Sequence, residues 1–186
     1  MTNMTQAMTK KEVRLKVTEM LSAGAKKRDV FAALSGRGVK DRALARFIAS
    51  HVDPLRCAQN TVHRRGVIAI GYLQVLVAVA TAIYLTSTTS VTFGLVFGAI
   101  VVAVAALFVW GFTKNIAGVY NAFIILAIVQ MPRQLEGFSE NPTATLIGLA
   151  IGVAICAYVW FVRQRLFPDF VFMSPKKVDG QYVFAE

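Results

Sequence analysis

The stretch Gly66–Thr113, GVIAIGYLQVLVAVATAIYLTSTTSVTFGLVFGAIVVAVAALFVWGFT, contains no Asp, Glu, Lys, Arg or His. As one continuous helix it would run roughly 70 Å at about 1.5 Å per residue. The hydrocarbon core of a bilayer is about 30 Å thick and is crossed by roughly 20 residues. The stretch therefore crosses twice, and the fold-back falls at Thr86-Ser87-Thr88-Thr89-Ser90, its one polar run.

Moving outward towards the C-terminus, Thr113-Lys114-Asn115 reads as a tight basic turn. A short third span is expected over about 116–131. A polar loop, 132–141, follows it with Arg133, Glu136 and Glu140. A fourth span is expected over about 142–162, with Pro142 in its first turn, where a missing amide costs nothing. With the first two spans at about 66–86 and 91–112, the expected fold is an all-α integral membrane protein with a four-span helical bundle at 61–165. An apolar fraction of 56%, above the about 45–50% usual for soluble domains, agrees with this.

Moving outward the other way, Leu55–Arg65 is a juxtamembrane segment that ends in His63-Arg64-Arg65. Before it, residues 1–60 read as a basic three-helix cytoplasmic domain, with 1–8 as a frayed terminus. Thr9-Lys10-Lys11-Glu12 fits a capping box, and Val13, Val17, Met20 and Leu21 then share a helix face up to Gly24. A second helix is expected over about 27–35. A third is expected over about 40–52, stopped by Pro54. The predicted core is Val13, Val17, Leu21, Phe31, Leu34, Leu44, Phe47 and Ile48. A unit of this size has a marginal core by itself, so it should lean on the membrane, on a partner or on another copy. At the far end, the tail 166–186 reads as a short β-hairpin. Its strands are expected at Phe170–Met173 and Tyr182–Phe184, with turn formers at Ser174-Pro175 and Asp179-Gly180. Two strands alone are marginal in water, so the hairpin should pack on the helical domain or on the membrane surface.

Nearly all of the net charge of +10 lies within residues 1–65. The basic residues at span ends, Arg64, Arg65, Lys114, Arg163 and Arg165, all fall on one side. By the positive-inside rule both termini are cytoplasmic, in a cell (inner or plasma) membrane, and these residues meet anionic lipid at the cytoplasmic face. No cleavable leader is apparent before the first span.

Proton relays and ion-coupled transporters place ionisable groups near the membrane midplane, and membrane-embedded enzymes need an acid, a base or metal ligands. None of the expected spans supplies such a group, so a non-enzymatic protein is expected, with no catalytic, cofactor or metal site. Cys57 and Cys156 form neither a disulfide framework nor a zinc spacing.

Two features of the spans carry candidate roles. Small residues recur every fourth position at Ala144, Gly148, Gly152 and Cys156, and again at Gly94 and Gly98. Such faces let helix backbones approach closely in lipid, within one chain or in a homo-oligomer. The amides Gln74 and Asn121 lie deep in spans 1 and 3, at depths that let them bond to each other or to a shared water. Otherwise they line a small-solute path. Tyr84, Trp110, Tyr120, Trp160 and Phe161 fit interfacial belts.

In the N-terminal domain, the rhythm of the second and third helices resembles a helix-turn-helix, with Lys40, Arg42 and Arg46 on the helix that would read the major groove. The connection 35–39 is longer than the usual 3–4-residue turn. Three functional readings follow. The first is an interaction or scaffold module that binds a cytosolic protein partner through a platform of helical domain and tail. The second is a small oligomeric channel or carrier for an uncharged solute. The third is a membrane-tethered DNA-binding regulator, disfavoured because lipid attraction and orientation already account for the charge.

Overall fold

A computed structural model describes residues 8–139 and 141–185. Most of the terminus expected to fray, and Glu140 of the polar loop, lie outside the described residues. The chain is mostly helical, with one small two-stranded sheet. It divides into two compact units, one formed by the N-terminal segment up to Arg56 together with the chain from Gln164 onward, the other by Cys57–Arg163.

The first unit starts with helix α1, Lys10–Ser22. Its capping box forms as the sequence predicts: the Glu12 amide donates to Thr9 Oγ1 at 3.3 Å and the Thr9 amide to Glu12 Oε2 at 2.7 Å. These bonds hold the Glu12 carboxyl below its ordinary range. Gly24, at φ +85°, ends the helix in a left-handed cap, with the Ala25 amide reaching Met20 O at 3.0 Å. Helices α2, Lys27–Leu34, and α3, Asp41–Ala49, follow. Val13, Val17, Val30, Leu34, Leu44 and Ile48 are buried between the three. Met8, at the end of the expected frayed segment, is docked by its amide to Arg37 O at 3.1 Å.

The tail belongs to the same unit. Strands β1, Lys177–Val178, and β2, Gln181–Tyr182, pair antiparallel in the register Lys177↔Tyr182. Asp179 and Gly180 sit at φ +48° and +80°, as a two-residue type I′ turn requires. The expected first strand is therefore misplaced. Phe170–Met173 makes a tight loop instead, with a bridge from Phe170 to Pro175 and the Val171 amide donating to Ser174 O at 3.1 Å. The cause is local: Asp179-Gly180 readily takes two successive positive φ values and so fixes the hairpin, whereas Pro175 has no amide to give a ladder. Phe31, expected in the helical core, instead faces the tail, its ring centroid 5.4 Å from that of Tyr182 and 5.8 Å from that of Phe184.

In the second unit, α5 runs Thr61–Thr88, α6 Val91–Thr113, α7 Ala117–Gln134 and α8 Pro142–Leu166, after a short α4, Pro54–Gln59. Helices α5, α6 and α8 are long and apolar enough to cross a membrane, by length and composition, and their large apolar side chains, such as Leu76, Leu95 and Ile147, are mostly exposed. That surface suits lipid and not water. Helix α7 is shorter and carries Asn121, Gln130, Pro132 and Arg133.

Helix ends differ from the expected spans in three places. The hydroxyls of Thr86, Ser87, Thr88 and Thr89 bond back to carbonyls one turn earlier at 2.6–2.9 Å, so α5 runs through most of the polar run and the fold-back shrinks to Thr89-Ser90. Pro132, assigned to the loop, lies inside α7, which ends in a 3-10 turn at Leu135–Ser139. Helix α8 continues through Arg163 and Arg165, and the Asn141 side chain caps its start by accepting from the Ala144 amide at 3.1 Å.

Helices α5 and α6 pack backbone to backbone. A Cβ on Gly94 would stand 2.5 Å from Thr86 Cα, and one on Gly98 would stand 2.5 Å from Ala82 Cβ. Between α6 and α7, Phe112 is in ring contact with Tyr120 at 4.9 Å and with Phe123 at 5.6 Å. Tyr120, expected in an interfacial belt, is instead fully buried here, whereas Tyr84 and Trp110 are exposed.

Candidate functional site

The residues singled out in the sequence separate into three groups. The first is polar and lies within the membrane unit. Asn121, in the second turn of α7, is buried and accepts at Oδ1 from Arg163 Nε at 3.0 Å. The arginine, expected at the lipid surface, is among the largest fully buried side chains, and its guanidinium stands 5.1 Å from the Trp160 ring centroid. A guanidinium at this site meets an amide oxygen and an aromatic face, both able to offset lost hydration. The expected pairing of Asn121 with Gln74 is therefore replaced by one with Arg163. The extension of α8 by one turn past its expected end carries Arg163 to this position, which a hydropathy boundary does not reveal. Close by, Tyr158 Oη donates to His63 O at 3.3 Å, joining α8 to the first turn of α5. Among the other end-of-span basic residues, Arg64 is half-buried, while Arg65, Lys114 and Arg165 are exposed.

The second group surrounds a cavity of about 500 Å³ that all four long helices line. Gln74, half-buried, contributes to it from α5 and Gln130 and Gln134 from α7. The rest of its wall is apolar except for Thr81, whose hydroxyl is engaged with Val77 O at 2.9 Å. Gly152 also lines it. The small face of α8 is thus divided: Cys156 is buried and Gly152 faces the cavity, but Ala144 is exposed and a Cβ on Gly148 would meet nothing within 4 Å. Of the two small-residue faces, the one at Gly94 and Gly98 lies in close helix contact.

The third group is in the first unit, and no sequence pattern marks it. Asp169 is fully buried: Oδ2 accepts from Lys27 Nζ at 2.6 Å, Oδ1 accepts from the Ala185 amide at 2.6 Å, and its carbonyl accepts from the Lys176 amide at 2.7 Å. One carboxylate so joins α2 to both ends of the tail. An isolated Asp-Phe pair after a basic cluster gives no sequence signal for this; only the burial of the tail does. The candidate nucleic-acid residues Lys40, Arg42 and Arg46 are exposed at or on α3. Arg42 donates to Ser174 Oγ at 3.4 Å, and six residues, 35–40, separate α2 from α3. Burial, with the like charge of Lys27, lowers the His51 pKa, against the pull of Asp53. Among the described residues no cluster of three or more His, Cys, Asp or Glu could hold a metal.

No protein-family model matches the chain, nor does a curated protein or a solved structure.

Proposed function

We propose that the chain is a four-span protein of a cell (inner or plasma) membrane, with both ends cytoplasmic, that acts by binding a protein partner through the platform its ends build together and has no chemistry of its own. The observation that carries this reading is the single compact unit formed by residues from both ends, joined at Lys27 and Asp169. Chain ends that share one folded unit lie on one side of a membrane, so the number of crossings between them is even. Three crossings do not satisfy that parity; four do, with α7 as the fourth. Its 18 residues reach about 27 Å at about 1.5 Å each, close to the hydrocarbon thickness of about 30 Å. Of the polar groups that lower its hydropathy, Asn121 is buried against Arg163, and Gln130 and Gln134, both exposed, line the mouth of the cavity. Arg64, Arg65, Lys114 and Arg165 then mark the cytoplasmic side.

The test is purification of the full-length protein from its native membrane in mild detergent, with mass determination of the intact complex, for the wild type and for Asp169→Ala. A protein partner that is retained by the wild type and lost from an inserted Asp169→Ala supports the platform. A bare monomer, or a partner that Asp169→Ala retains, overturns it.

A further inference from the structure

We propose that the cavity between α5, α6, α7 and α8 is a binding site for a neutral lipid, a hydrocarbon chain joined to an uncharged head that carries hydroxyl or ester oxygen. Its volume of about 500 Å³ falls within the roughly 300–1,000 Å³ of small-molecule sites. The site is independent of the platform: it uses only the four helices, whatever the ends bind.

Three observations define the guest. No ionisable side chain lines the cavity, so a charged head would lose its hydration with nothing to compensate. The wall is mostly aliphatic and aromatic, with Leu73, Val104, Phe123 and Ile155 contributed by different helices, which suits a hydrocarbon chain. Yet Gln74, Gln130 and Gln134 bring three amides to that wall, and no protein hydrogen bond reaches them among the described residues. Gln130 and Gln134 are one helical turn apart and so share a face of α7. Gln130 and Gln134 are exposed, whereas Gln74 is half-buried, and a purely apolar guest that covered the Gln74 amide would leave it unpaired at a cost. A head with neutral oxygens accepts from the amide NH2 groups and, where it has a hydroxyl, donates to their carbonyls. Arg133 lies in a neighbouring groove that shares Gln130 and Gln134 but does not line this cavity. An anionic lipid would therefore sit on that outer groove instead.

The experiment uses the full chain reconstituted in liposomes with trace photoactivatable, alkyne-tagged diacylglycerol, compared with a phosphatidylglycerol probe of the same chains. Labelled residues are mapped by mass spectrometry. The expected result is diacylglycerol labelling within 73–81 and 123–134 that unlabelled diacylglycerol competes away and that exceeds phosphatidylglycerol labelling there. Gln74→Leu and Gln130→Leu should each reduce it about threefold, and by no more than about twentyfold, the average and maximum for one interhelical hydrogen bond in lipid. Gly152→Leu should reduce it by occupying the space, since a Cβ there meets nothing nearer than the Gln134 amide at 3.9 Å, an ordinary contact, and its melting temperature in detergent is compared with the wild type. Equal labelling by the two probes overturns the proposal, as does labelling spread over exposed faces such as Leu95 and Ile147, or labelling that all three variants leave unchanged. Phosphatidylglycerol labelling that depends on Arg133 overturns it in favour of an anionic surface lipid.

Discussion

Lys27 and Asp169, 142 positions apart in the chain, form an ion pair of 2.6 Å in which the carboxylate is fully buried and the lysine side chain 13% exposed. This contact turns two weak segments, three short helices and a four-residue sheet, into one unit. Removing one partner of a buried pair leaves an uncompensated charge and costs about 3–5 kcal/mol. Lys27→Met or Asp169→Asn should therefore each expose the N-terminal unit to proteolysis. Lys27→Met with Asp169→Asn should cost less than the sum of the single changes. Limited proteolysis with urea titration reads the difference, and additivity would show that the pair is not coupled.

A second cycle separates Asn121 from Gln74. Asn121 is bonded to Arg163, so Asn121→Leu and Arg163→Leu should couple. Asn121→Leu and Gln74→Leu should add within about 0.3–0.5 kcal/mol, as changes without a shared partner do. Thermal unfolding in detergent of the wild type, the three single variants and the two doubles measures both terms.

Glycines of the same type should differ by position. Gly94→Leu and Gly98→Leu force α5 and α6 apart, because even a Cβ would stand 2.5 Å from the facing helix, and loss of the folded protein from detergent extracts is expected. Gly148→Leu adds its side chain to open space and should leave the melting temperature within a few degrees, about 1 kcal/mol or less.

The proposed topology is read by single-cysteine labelling in a background without Cys57 and Cys156. A membrane-impermeant reagent applied to intact cells should label cysteines placed at Ser87 and Ser139 and not those at Ser22 and Ser174, all exposed in the folded chain. Labelling at Ser174 but not at Ser22 would contradict the shared unit, and labelling at both would invert the orientation.

His51 gives the unit built from the two chain ends a pH dependence. Its folded pKa lies below the ordinary 6.5, so the unfolded chain binds the extra proton first as pH falls. Stability is retained above about 6.5 and is lost as pH drops from there through the lowered value, with the sign set by proton linkage. The proteolysis rate of the N-terminal unit should rise from pH 7 to pH 5, and His51→Gln should reduce that slope.

What the residues reveal before folding is mostly what depends on neighbours in the chain. The charge-free run at 66–113 is too long for one crossing and folds into two helices, each long and apolar enough to cross a membrane. Thr9 and Glu12 are three residues apart and cap α1 by local geometry. Asp179-Gly180 fixes its turn, although the strand expected at Phe170–Met173 is a tight loop, closed by the Val171 amide on Ser174 O beside Pro175.

Tertiary structure decided which polar groups meet. A period or a hydropathy boundary could not assign Arg163 to Asn121, could not tell that Tyr120 is buried, and could not separate Gly94, in contact, from Gly148, in open space. Those outcomes depend on the rotation and offset of one helix against another, which a shift of a single residue changes by about 100° and about 1.5 Å. The junction of Lys27 with Asp169 lies furthest from the reach of sequence. Neither residue stands in a pattern, and burying a carboxylate costs free energy unless partners meet it; only the assembled helices and tail bring Lys27 Nζ and the Ala185 amide to Asp169.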